Sequence, residues 1–112
     1  TNMISFMGTT DIPYEMSVVH WNQWWFDNPE FHWERSPLSH INKAKTPTLV
    51  IHGLKDVRVH PEQGLELWQT LKIKGVDTEL VLYPREPHGL LERAHKLDYM
   101  ERLVSWYKKY VK

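Results

Sequence analysis

Two short stretches of the sequence carry side chains suited to proton transfer. "HGLKD" (52–56) ends on Asp56, and "PREPHG" (84–89) holds His88. A carboxylate that accepts from imidazole Nδ1–H fixes the tautomer and stabilises the imidazolium, leaving Nε2 to handle a proton. Such a pair is the base and orienter of a nucleophilic hydrolase. Taken singly, an aspartate ahead of a helix is an ordinary turn residue, and a histidine before glycine is no more specific. The chemistry therefore depends on whether the chain brings the two together.

The elements between them answer that. "TLVIHG" (48–53) is a short continuous apolar run closed by glycine, the form of a strand buried on both faces. Pro61, Glu62 and Gln63 open a helix with Leu65, Trp68 and Leu71 at three-residue steps, ending around Lys74-Gly75. "TELVLYP" (78–84) is a second β-branched and aromatic run, and "REPHGLLE" is a loop. A last helix carries Leu97, Met100, Val104, Tyr107 and Val111 as one apolar stripe. Two strands joined by a helix of this length must be parallel, which makes the fold α/β. Parallel strands bring both loops to one end of the sheet, where ligands and catalytic groups gather in open α/β sheets. Asp56 and His88 should thus lie side by side. The order acid then histidine also fits the Ser…Asp…His order of the α/β-hydrolases.

Residues 1–45 show no clean period and read as an aromatic-rich helical segment, apart from the strand–helix–strand–helix unit of 46–112. "NPE" predicts a helix start with Asn28 at the N-cap and Pro29 at N1, and "SPLSHINKA" repeats the signature over about two turns. No third strand is visible. Since parallel sheets rarely consist of two strands, the chain is expected to be part of a larger sheet.

Bulk composition removes several classes. The chain has 112 residues, at most one domain, with Lys+Arg and Asp+Glu equal at 14 each. That balance offers no electrostatic footprint for nucleic acid or an anionic membrane. With no cysteine there is no disulfide framework, thiolate metal site or cysteine nucleophile. No apolar run approaches the roughly 18 residues of a membrane span. The first residues, "TNMISFMGTT", lack the layout of a signal peptide and read as mid-chain sequence. His20, His32, His40, His60 and His95 lack metal-ligand spacing, and His52 reads as a packed strand residue. Glu86 reads as solvated. Six Trp, five Tyr and three Phe are dense for this length, and such density marks a packed seam, an interface or an apolar pocket.

The stretch from "NPEFHWERSPL" through "TPTLVIHGLKDVRV" and "TELVLYPREPHGLLE" to the last helix resembles the C-terminal part of the catalytic domain of the prolyl oligopeptidase family of serine peptidases, with the nearest likeness to its acylaminoacyl-peptidase branch. The resemblance covers about residues 28–111 and implies the C-terminal portion of an α/β-hydrolase fold with an incomplete sheet. It makes Asp56 the triad acid and His88 the triad base, acting on acylaminoacyl or oligopeptide bonds without metal or organic cofactor. It places Arg58 at the family's D-x-R position, where it could hold a substrate carbonyl or carboxylate, or pair locally. It implies that Phe6, Trp21, Trp24 and Trp25 could line an apolar specificity pocket. The family's nucleophile sits in a G-x-S-x-G-G elbow, and none of Ser5, Ser17, Ser36, Ser39 or Ser105 has such flanks. The serine is therefore expected upstream of Thr1, and the 112 residues alone are expected to be inactive. The implied partners are a peptide substrate, the remainder of the catalytic domain and a propeller domain, with a homo-oligomer possible and a cytoplasmic location. Two other readings use the same residues: a non-catalytic association module, or an esterase with the same triad.

Overall fold

A computed structural model describes residues 1–111 of the chain. Helix α1 (Met3–Thr9) is capped by Asn2, whose side chain accepts from the Ile4 amide at 3.1 Å and the Ser5 amide at 3.4 Å. A π-helical turn (Glu15–Val19) leads to α2 (Pro29–Glu34). Here Asn28 accepts from the Phe31 amide at 3.2 Å, with Pro29 in the first turn, as the "NPE" signature predicts. A 3-10 helix (Pro37–Lys43) then delivers the chain to the sheet.

Strands β1 (Thr48–Gly53) and β2 (Thr78–Tyr83) pair in parallel, in register from Thr48 opposite Thr78 to Gly53 opposite Tyr83. Between them runs α3 (Glu62–Ile73), stopped at Gly75, whose φ of 74° is the left-handed conformation glycine adopts without penalty. One face of the sheet meets α3. Gly64 lets the helix approach there, since a Cβ at that position would lie 2.8 Å from His52 Nδ1 and 3.4 Å from Val50 Cγ1. Val50 and Leu71 are buried on this side, while Val81, paired with Ile51, is buried on the opposite face. Among the described residues the sheet has two strands, so each keeps an edge without a strand partner.

The other face meets α4 (Arg93–Tyr110), largely through polar contacts. The Tyr83 hydroxyl and Arg102 Nε both donate to Asp98 Oδ2, at 2.8 and 2.7 Å. Arg102 also reaches Glu79 at 3.4 Å, and Asp77 accepts from Lys109 at 3.4 Å and from the Tyr110 hydroxyl. The apolar stripe is not the face that meets the sheet. Leu97, Met100, Val104, Tyr107 and Val111 are each about half or more exposed (49–65%). The side of α4 that the sheet covers is the one bearing Asp98, Arg102 and Lys109. There is too little sheet to cover more than one side of α4.

Candidate active site

The site is assembled where both strands end. Beyond β1 the backbone stays stitched to the loop beyond β2: the Leu54 amide donates to Tyr83 O at 2.9 Å, and the Lys55 amide donates to Glu86 O at 2.8 Å. These bonds carry the register of the sheet past its end and deliver the next residue, Asp56, beside the loop of His88. Gly53 permits the close approach. A Cβ there would lie inside van der Waals contact of the Glu86 and Pro87 carbonyl oxygens.

Asp56 is almost completely buried, 4% exposed. Its Oδ1 accepts from the Arg58 and Val59 amides, both at 2.9 Å, an Asx-type turn that orients the carboxylate. Its Oδ2 accepts from His88 Nδ1 at 2.9 Å. His52 Nε2 lies 3.2 Å from the same oxygen and 2.6 Å from Val59 O, so His52 braces the turn from the strand. Burial works to raise the Asp56 carboxyl, but the Val59 amide, His88 and the Arg58 amide outweigh it and hold it below its ordinary value. An ionised, buried Asp56 requires Nδ1 of His88 to be the donor, which leaves Nε2 with its lone pair. The His88 side chain is 62% exposed, and both residues line a cavity of about 620 Å³ walled by Leu49, Ile51, Tyr99 and Leu103. Chemically, this is an imidazole base held in one tautomer at the mouth of an apolar cavity.

The remaining expected site residues are placed elsewhere. Arg58 turns away and holds Asp11 with two bonds, Nε to Oδ1 at 2.5 Å and a terminal nitrogen to Oδ2 at 3.2 Å, which is the local pairing of the two options. Phe6 is buried, 7% exposed. Trp21 packs edge-on to Phe31, and Trp24 and Trp25 pack on each other and on Phe26. None of Arg58, Phe6, Trp21, Trp24 or Trp25 lines the cavity beside Asp56 and His88. Glu86, expected in solvent, is 1% exposed and accepts from the Leu91 amide at 2.6 Å, the Glu92 amide at 2.9 Å and His95 Nδ1 at 2.7 Å. One signal could have shown this: "LLER" before α4 has no Ser, Thr, Asn or Asp to cap an 18-residue helix, so its first amides need an acceptor from elsewhere. Glu86, Glu92 and His95 place one donor atom each within 4.8 Å of one another. Both Glu86 oxygens are already taken by amides, and Glu92 is held by Arg85, so the group is a closed hydrogen-bond network. Among the described residues no hydroxyl bonds to His88; Ser17 and Ser36 are fully buried.

An acid and an imidazole on consecutive strand-end loops of a parallel sheet define a portion of an α/β-hydrolase fold. The chain superposes on the acylaminoacyl peptidase of Pyrococcus horikoshii with a TM-score of 0.83 at 24% identity, covering 99% of this chain and 19% of that one. The profile of the prolyl oligopeptidase family matches residues 1–112, and the chain belongs to that family. It is similar to acylamino-acid-releasing enzyme 1 of Oryza sativa, 33% identical over 98% of the chain, and to the acylamino-acid-releasing enzyme of Mus musculus, 37% identical over 94% of the chain. In both cases it spans 15% of the relative's length.

Proposed function

We propose that the chain supplies the acid and base of a serine-type peptidase acting on acylaminoacyl or oligopeptide bonds. The observation that carries this reading is the 2.9 Å bond from His88 Nδ1 to buried Asp56, with His88 otherwise open to the cavity. In the reaction, Nε2 of His88 takes the proton of a serine hydroxyl as it attacks the carbonyl, then returns it to the leaving amine. Asp56 keeps the imidazole oriented and stabilises its charged form. Water releases the acyl group by the same route in reverse. The serine is supplied by sequence outside these 112 residues, since none of the five here approaches His88. The names of the relatives support the peptide substrate class.

The rest of the catalytic domain is the partner that the open sheet edges and the exposed side of α4 suit. The isolated 112 residues should therefore associate in sedimentation, and a well-folded monomer would count against that partner. The test of the chemistry uses the full-length chain. His88→Ala should lower kcat by about 10⁶ and Asp56→Asn by about 10⁴, in chains that still fold. Near-normal turnover in both removes the assignment.

A further inference from the structure

We propose that Glu86 is a positioning residue for His88, locking the loop that presents the imidazole to Asp56. The role rests on the function proposed above for that pair. Glu86 is the one buried carboxylate beside the site that the reaction itself does not use, and it does not line the cavity. His88 lies at the tip of the segment from Arg85 to Glu92. The segment starts with Arg85 at φ 66°, a left-handed conformation unusual for a side-chain-bearing residue, which turns the chain back on itself after β2. It is closed twice at its base. Outside, the Arg85 guanidinium donates to both Glu92 oxygens at 2.7 and 2.8 Å, exposed to solvent. Inside, Glu86 Oε2 accepts from the Leu91 amide at 2.6 Å, and Oε1 accepts from the Glu92 amide at 2.9 Å and from His95 Nδ1 at 2.7 Å.

Those amides stand directly ahead of α4, whose own N-cap makes no side-chain bond, so Glu86 is also the anion at the positive end of that helix. The same residue reaches the acid. Its backbone carbonyl accepts from the Lys55 amide at 2.8 Å, one residue before Asp56. A single residue thus holds the His88 loop through its carboxylate and the Asp56 loop through its backbone. The outer Arg85–Glu92 pair is bidentate but exposed and screened by solvent, so it is the weaker of the two closures. With the inner lock opened, only that outer pair bonds across the base of the loop among the described residues.

The experiment is proton NMR of the full-length chain, following the His88 Nδ1–H proton held by Asp56, with its turnover alongside. Glu86→Gln keeps the shape but turns one acceptor into an N–H facing an amide N–H. The Nδ1 proton should broaden away or exchange at least ten-fold faster with far-UV CD unchanged, and kcat should fall about 100-fold at constant KM, the effect of about 1 Å of misplacement. His95→Gln keeps a donor to Oε1 and should retain the signal. If Glu86→Gln does not fold, His95→Ala removes a single bond and should still speed exchange of the Nδ1 proton. An unchanged Nδ1 proton in the folded Glu86→Gln chain, or in His95→Ala where that is the variant that folds, overturns the positioning role. A lost signal with normal turnover upholds the positioning of His88 and instead refutes the catalytic reading of the pair.

Discussion

Replacing Gly53 by alanine should part Asp56 from His88 without touching either. Gly53 is buried at the end of β1, opposite Tyr83 in the register. An added Cβ would fall 2.8 Å from the Glu86 carbonyl carbon and closer still to the Glu86 and Pro87 oxygens, all of them backbone atoms. Ordinary contact begins at 3.4 Å, so to clear those oxygens the 86–88 backbone must retreat by about 1 Å. β1 cannot yield instead, because the Leu54 amide is bonded to Tyr83 O at 2.9 Å. A retreat of that size along the bond takes the His88–Asp56 distance from 2.9 Å to about 3.9 Å, beyond the point at which a hydrogen bond is made. Overpacking should cost about 1–3 kcal/mol. Leaving a buried carboxylate short of a partner should cost about 1–3 kcal/mol more. Denaturant unfolding of Gly53→Ala reads the stability, and the His88 Nδ1 proton reads the pair. Gly89→Ala is the control, since a Cβ there meets nothing within 4 Å; it should stay within about 0.5 kcal/mol of the parent. In the full-length chain, Gly53→Ala should lower kcat by about 100-fold. A Gly53→Ala chain of parental stability that keeps the Nδ1 proton would refute the steric argument.

Three further outcomes follow from individual contacts. Gly75→Ala introduces no clash but forces φ 74° on a residue with a Cβ, so unfolding should show a loss of about 1–2 kcal/mol, and an unchanged midpoint would contradict the backbone assignment. Because the Asp56 carboxyl is held below its ordinary 3.8, its contribution is complete above that pH and is lost as pH falls through the depressed value. The stability gap between parent and Asp56→Asn should accordingly narrow only below about pH 3.8, and a gap constant down to pH 2 would count against it. Burial and the bond to Asp98 push the Tyr83 phenol up to about 12, so Tyr83→Phe should remove phenolate absorbance near that pH and leave the lower part of the titration intact.

Much of the fold was legible along the chain because it is written in local chemistry. The apolar run 48–53, the β-branched run 78–83 and the glycine stop at Gly75 all appear where pattern and turn chemistry place them. Asn28 caps α2 because a short side-chain acceptor ahead of proline has few other uses. Asp56 and His88 were legible for a topological reason: parallel pairing leaves both strand ends on one edge. Glu86 was not, because a charged residue in a loop reads as solvated unless the acceptors needed by the next helix start are counted against it. The stripe on α4 was legible as an apolar face, but not what covers it, since periodicity identifies the face and not its partner. Arg58 and the tryptophans were assigned by resemblance to a site, and which wall a side chain joins depends on neighbours far apart in sequence, as with Arg58 and Asp11.

By itself the sequence determined the elements, the parallel crossover, and the loops on which an acid and an imidazole stand, because propensity and hydrophobic period act over a few residues. Tertiary structure alone decided that Nδ1 of His88 meets Oδ2 of Asp56, that Gly53 must lack a side chain, and that Glu86 is buried beneath the imidazole loop. The first two are approaches between atoms more than thirty residues apart, and the third is a loop folded on itself, all set by how the two loops pack after the strands have paired.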